Sequence, residues 1–229
     1  GVGVVIAIRL ANANALTSFR SATESIAGET ALELTGIAGR FDELLLRDLS
    51  WLRQYGQVSP VITGYAMTVP EGEPEQRGEF LQVLGVDILR DRTLRRYRLL
   101  QLHEGEGEPS TREFLLLLAD PKAVVVTRKF ARRRGLSIGQ SLPLVIGDTR
   151  REFTIRGFLL DDGPARALDG NFVLMDLAAA QWAFNRLGWL DRVDLKLHNA
   201  MTLEQAEADL TKRLPPNLTV LRPEARYGQ

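Results

Sequence analysis

The sequence predicts an α+β fold with β-α-β units at both ends of the chain, a β-rich segment between them and a long helix in front. Three observations carry this. Short apolar, β-branched runs such as Ala123-Val124-Val125-Val126-Thr127 recur along the chain and read as strands. Apolar residues at helical spacing lie between strand-like runs near both ends, over 41–55 and 202–214. The middle shows Ser141 to Ile146 and Arg151 to Leu159 across Gly147-Asp148, the pattern of a hairpin.

Residues 4–27 read as one helix. Ile8, Ala15 and Ala22 recur every seven residues, Phe19 and Ile26 fall beside them, and Gly28 suits a C-terminal cap. Gly1 to Ile8 is apolar all round but far short of the ~20 residues a bilayer crossing needs. This opening therefore reads as the outer end of a transmembrane helix that continues as an amphipathic rod. A signal-peptide tail would show a basic start and a small-x-small cleavage site, and neither is visible.

Thr30 to Ile37 is strand-like. Phe41, Leu45, Leu49 and Leu52 follow at helical spacing, with Asp42 and Glu43 early, Arg53 late and Gly56 as the stop. Val58 to Val69 reads as a strand weakened by Pro60 and Gly64. Glu71 to Gly78 reads as a surface loop, Glu79 to Ile88 as a strand, and His103 to Ser110 as a loop; Asp91 to Leu102 is assigned to neither class. After the strand 123–127, Phe130 to Arg134 makes one helical turn closed by Gly135. The hairpin follows, then a turn-rich connector from Asp161 to Gly170. The last third predicts a strand Phe172–Met175, a helix Leu177–Leu187, a strand Arg192–Leu197, a helix Thr202–Leu214 and a strand Leu218–Leu221. Thr202 and Gln205 form a capping box for that last helix. The resulting division is 1–28 as the helix, 29–110 with 171–222 as a discontinuous α/β unit, and 111–170 as an inserted β-rich unit.

Composition narrows the function. Lys+Arg and Asp+Glu both number 29, which argues against a dedicated nucleic-acid binder. With no cysteine there is no disulfide, zinc–thiolate site or thiol nucleophile. His103 and His198 lack a spaced metal-ligand partner. Asp161 and Asp162 are the only pair to suggest carboxylate acid–base work, but beside Gly163-Pro164 they read as turn residues. No P-loop, dinucleotide fingerprint or nucleophile elbow is present, so neither a catalytic residue nor a cofactor or metal site is assigned. The basic run Arg128, Lys129, Arg132, Arg133, Arg134 reads as a solvated helix face with partners such as Asp120. Trp182, Phe184 and Trp189 read as core or interface.

Three stretches carry a family resemblance. One is Arg9-Leu10-Ala11-Asn12-Ala13-Asn14-Ala15-Leu16 with Phe19, continuing the apolar opening. Another is Ala123 to Thr127, a short helix, and Gly135-Leu136-Ser137-Ile138-Gly139-Gln140-Ser141-Leu142. The third is Asn171-Phe172-Val173-Leu174-Met175-Asp176 before a helix containing Ala180-Gln181. In this order the chain resembles the extracytoplasmic (periplasmic core) domain of ABC transporter permeases of the MacB and FtsX-like type, most of all the large YbbP-type permeases. That family usually places Asp after the second glycine, where this chain has Gln140.

The resemblance implies a porter-like α/β unit built from both chain ends with an inserted β-rich part. It also implies a place on the periplasmic side of a bacterial inner membrane, with no active site in the domain. By the same implication, a cytoplasmic ABC ATPase, a second permease copy and a periplasmic protein are partners. The function implied is mechanotransmission: cytoplasmic ATP hydrolysis coupled to outside movement of an amphipathic or lipid-like substrate. Asn217-Leu218-Thr219 matches a glycosylation triplet, which normally has no consequence in bacterial proteins. Two other readings compete: a stand-alone small β-barrel binding module, expected to fold from residues ~110–165 alone, and a soluble hydrolase using Asp161 and Asp162.

Overall fold

A computed structural model describes residues 29–69, 78–95, 99–101, 115, 117–159 and 169–223. The expected helix 4–27, His103 with its loop, and Asp161 and Asp162 lie outside these residues.

Where the chain is first described, Leu32 and Leu34 alternate with Glu33 and form β1 (Leu32–Gly36). β2 (Phe41–Asp42), α1 (Leu45–Asp48) and a 3-10 turn (Ser50–Gln54) lead into the 13-residue β3 (Gly56–Thr68). The expected single helix over 41–55 is therefore broken into three pieces. Phe41, Leu49 and Leu52 are all buried, as their spacing requires, but Leu52 N donates to Leu49 O three residues back rather than four. Spacings of three and four bury the same residues, so the pattern reported burial without settling the helix type.

Next come β4 (Phe80–Val86), α2 (Ile88–Arg95), β5 (Leu99–Gln101), β6 (Ala123–Thr127) and α3 (Arg128–Arg134). α3 is capped by Thr127, whose Oγ1 accepts from Phe130 N at 3.0 Å, and is closed by Gly135 at φ 63°. β7 (Ser141–Ile146) and β8 (Thr149–Leu159) form the expected hairpin, with Gly147 at φ 63° in its turn. β9 (Phe172–Asp176), α4 (Leu177–Ala183), β10 (Trp189–Leu190), β11 (Arg192–Leu197), α5 (Leu203–Arg213) and β12 (Leu218–Leu221) complete the chain. Thr202 caps α5 as expected, accepting from Gln205 N at 3.3 Å.

Strand pairing sorts these elements into two joined units. One half of the sheet has the order β12-β1-β11-β3, with antiparallel neighbours throughout. β1 and β3 flank β11, and β11 and β12 flank β1. The two expected β-α-β units are thus split and interleaved, a ferredoxin-like arrangement. Leu32, Leu34, Val193 and Leu195 turn one face to Leu52, Ala206 and Leu210. The other half is a closed circuit. β3 pairs with β4, β4 with β9, β9 with β6, β6 with β8, β8 with β7, and β7 returns to β3 at Met67 and Thr68. Residues 111–170 supply β6, β7 and β8 of this ring, and the flanks supply β3, β4 and β9. Phe130 from α3 and Ala180 from α4 join Ile62, Val83, Phe153 and Val173 in its apolar core. β6 is buried along its whole length, which explains its unbroken apolar sequence.

β3 belongs to both units. Pro60 does not interrupt it. Asp191 N donates to Val61 O at 3.0 Å, so Val61 faces β11 and the backbone of Pro60 faces the β4 side. There it lies one residue beyond the last β4 partner pair, Val61–Val86, and removes no rung.

α4 is capped by Asp176, whose Oδ2 accepts from Ala178 N at 3.2 Å. Burial raises the pKa of this carboxyl, the bond from Ala178 opposes the rise, and Asp87 adds to it. A raised folded pKa means that ionisation costs stability. The carboxyl's favourable contribution is present below the unfolded pKa and is lost as pH rises through the folded one. Asn caps a helix about as well as Asp. Asp176→Asn should therefore match or exceed the wild-type melting temperature at pH 7 and lose any advantage near pH 3, read by thermal denaturation at both pH values.

Candidate functional site

Of the residues singled out for chemistry, His198 and the basic run on α3 lie among those the structure describes. His198 is exposed at the end of β11, its backbone N donating to Tyr55 O at 2.9 Å. Among the described residues no group of three or more Asp, Glu, His or Cys is placed to hold a metal ion. The basic run on α3 is largely paired, but not to Asp120. Lys129 pairs with Asp169, Arg133 with Glu79 at 2.9 Å, and Arg134 with Glu79 at 3.8 Å. Asp120 instead meets Arg156 at 3.2 Å. It precedes β6 while α3 follows it, so the strand holds them at opposite ends. The hydrogen bond and charge of Lys129 hold the Asp169 carboxyl below its usual range. In the Gly135–Gly139 turn, Gln140 follows the second glycine. Its Oε1 accepts from Ser137 N at 3.0 Å, so an amide carbonyl closes the turn.

What the fold does build is a framework fastened at three places. The first is where the chain is first and last described. Glu33 of β1 sits opposite Leu221 of β12, so the two ends lie side by side on one edge of the sheet. Glu29 ion-pairs with Lys196 of β11. Arg222 donates from Nε at 3.0 Å and from Nη2 at 2.6 Å to Glu207 of α5.

The second is a buried charged row on the sheet face opposite α5. Register places Glu33, Asp194 and Ser59 level across β1, β11 and β3. Arg192 donates from Nε to Asp194 Oδ1 at 2.7 Å and lies 3.6 Å from Glu33 Oε1. Ser59 Oγ donates to Asp91 Oδ1 of α2 at 2.5 Å. All five side chains are buried. The alternation Arg192-Val193-Asp194-Leu195 reads as a strand with a solvated face, and nothing in it signals that α2 lies against that face.

The third is the junction of the two units. On one edge of β3, β11 pairs through Val61, whereas β7 begins only at Met67. Thr63 lies between them, and two side chains take the place of a strand. Its N–H donates to Asp191 Oδ2 at 2.8 Å, and its carbonyl accepts from Arg186 Nη1 at 2.9 Å. Arg186 Nη1 also donates to Asp191 Oδ2 at 2.5 Å, with the two side chains only 19% and 16% exposed. The Phe184 ring lies directly on Gly64, where any Cβ would overlap it, and the Arg186 guanidinium stacks 5.0 Å from the ring centre. Gly64, read from sequence as a weakness, is what lets the ring approach. The expected helix to Leu187 ends at Ala183 so that Phe184 and Arg186 can reach β3.

An open apolar cleft of about 540 Å³ lies at the other end of β1, lined in part by Ile37, Leu44 and Trp189 and edged by Arg40, Arg47 and Asp48. Trp182 and Phe184 pack against the ring core, and Trp189 is 48% exposed. Among the described residues no helix is long and apolar enough to cross a membrane.

Comparison with known proteins gives the family and the fold. The model of the MacB-like periplasmic core domain family matches residues 1–213. A curated relative, an uncharacterised ABC transporter permease protein of Mycobacterium tuberculosis, is 24% identical over 215 residues. That match takes in 93% of this chain but 23% of the relative, so the chain spans only a fraction of that protein. Among solved structures, the extracellular domain of the noncanonic ABC-type transporter YknZ from Gram-positive bacteria is similar with TM-score 0.56 and 12% identity, covering 84% of this chain and 100% of that one. The periplasmic region of MacB from Actinobacillus actinomycetemcomitans is similar with TM-score 0.54 and 12% identity, covering 87% and 92%. At such identities the structures speak for a shared fold, and they bear out the α+β class.

Proposed function

The chain belongs to the MacB-like periplasmic core domain family, and we propose that it is the extracytoplasmic lever of an ABC-type permease. In this reading it couples cytoplasmic ATP hydrolysis to movement of an amphipathic or lipid-like substrate. The observation that carries it is the placement of the first and last described residues. They lie side by side, and each is tied by charge to the body, Glu29 to Lys196 and Arg222 to Glu207. A displacement delivered at that edge moves the domain as a body rather than peeling a loop from it. The partners that follow are a cytoplasmic ATPase subunit, a second permease copy and a periplasmic protein, with the domain on the outer side of the inner membrane.

The test is made in the membrane-embedded permease with its ATPase. A flexible Gly/Ser insertion between Gly28 and Glu29 should leave ATP hydrolysis within about twofold and cut substrate movement at least about tenfold. Substrate movement that survives the insertion would refute the lever.

We also propose that 29–110 with 171–222 forms the porter-like unit and that 111–170 is its β-rich insertion. β6 is hydrogen-bonded between β8 and β9, and β7 closes on β3. An excised 111–170 fragment is therefore expected to show no cooperative melting by circular dichroism. A cooperative transition would favour the stand-alone module.

A further inference from the structure

We infer that Arg186 and Asp191 are positioning residues that lock the ferredoxin-like unit and the closed ring into one rigid body at Thr63. Three facts carry this. β3 runs unbroken through both units, so any bend between them has to occur along it. Between Val61 and Met67 β3 is paired on one edge by β4, while on the other edge β11 has left and β7 has not yet joined. In that gap both backbone groups of Thr63 are held by side chains from the segment linking α4 to β11, so the segment bridges the units as well as connecting them.

The chemistry suits a lock. Arg186 uses one nitrogen to hold the Thr63 carbonyl and the Asp191 carboxylate together, and a half-buried ion pair with added hydrogen bonds resists opening more than an exposed one. Its guanidinium is stacked on Phe184, which is itself seated on Gly64. Removing the arginine frees the edge of β3 that neither β11 nor β7 covers and leaves β4 alone to limit its bending there. The consequence for substrate movement rests on the lever reading; the rigidity is tested on this chain alone, so either can fail without the other.

The chain has no cysteine, so two can be introduced for spin labels, at exposed Lys212 on α5 and exposed Asp148 in the β7–β8 turn. The labelled parent should give one narrow distance by pulsed electron spin resonance. Arg186→Met should give a broad or two-peaked distribution and about a tenfold loss of hydrogen-exchange protection confined to residues 62–65. The control is Arg133→Met, which breaks a comparable set of contacts to Glu79 and Asn171 at the ring alone. It should leave the distance narrow even if it lowers the melting temperature as much. Should Arg186→Met fail to fold, Asp191→Asn, which keeps an acceptor for Thr63 but removes the charge, decides on the same two readouts. A narrow distance in the folded Arg186 or Asp191 variant, or equal broadening in Arg133→Met, overturns the lock.

Discussion

Gly85→Val is expected to unfold the ring. Gly85 is the penultimate residue of β4, between Ile62 of β3 and Met175 of β9. α4 crosses the sheet there with Ala179, Ala180 and Ala183 buried beneath it. A Cβ on Gly85 would overlap the Cβ of Ala180 and stand 3.3 Å from that of Ile62. The helix cannot lift without uncovering the ring core it closes, since Ala179, Ala180 and Ala183 all belong to that core. Overpacking by a methyl group typically costs about 1–3 kcal/mol, and valine adds two more carbons. Gly85→Ala should therefore cost about 1–3 kcal/mol and Gly85→Val more, enough to remove most of a typical domain's stability. Chemical denaturation measures both. The mechanism has its own check. Ala180→Gly opens the space at about 1 kcal/mol of helix propensity, so Gly85→Ala/Ala180→Gly should be more stable than the two separate losses predict. Strict additivity would place the cost in backbone entropy instead of contact.

This glycine shows where the sequence was legible and where it was not. Elements marked by strong local chemistry read through. The strands 123–127, 192–197 and 218–221 coincide with the structure, as do the cap of α5 at Thr202 and the turn at Gly147. Their signals are short-range: β-branching, a hydroxyl three residues before an amide, a glycine at positive φ. What did not read through depends on partners distant in sequence. β1 pairs with β11 across some hundred and sixty positions, Leu34 opposite Val193, and no local pattern selects that partner over β3. The two β-α-β units were legible, but their interleaving was not. The same limit hid the junction. Gly64 looked like a break because its partner, Phe184, lies far along the chain, and Arg186 and Asp191 sit in a loop with no motif to mark them.

The placement of the units gives these contacts mechanical meaning. β1 and β3 both run antiparallel to β11, and Leu32 is level with Val58 through Leu195. β3 therefore continues well past the end of β1, into the ring. The ring thus stands beyond the ferredoxin-like unit as seen from the edge where the first and last described residues meet. A push at that edge reaches the ring through β3 and the 184–191 segment, so stiffness where they meet sets how much motion arrives.

The charged row beneath α2 supports the same edge, and Arg192→Met is expected to be the most damaging change that leaves side-chain length nearly intact. Arg192 forks onto Asp194 at 2.7 and 3.3 Å and reaches Glu33 at 3.6 Å, with all three side chains buried. Methionine fills similar space but leaves two carboxylates in a covered site without this guanidinium. Removing one partner of a buried ion pair costs about 3–5 kcal/mol, and about 2–4 °C of melting temperature goes with each kcal/mol at this chain size. Exposed pairs behave differently. Arg150 meets Glu152 at 3.1 Å with both side chains more than half exposed, and Arg150→Met should cost no more than about 1 kcal/mol. Denaturant titration of the two variants in one buffer gives the comparison. If Arg192→Met costs as little as Arg150→Met, the row bears no structural load and β1 is held by its apolar face alone. If the difference is several-fold, the strand that receives the chain at the anchored edge depends on a charge pair that water does not reach.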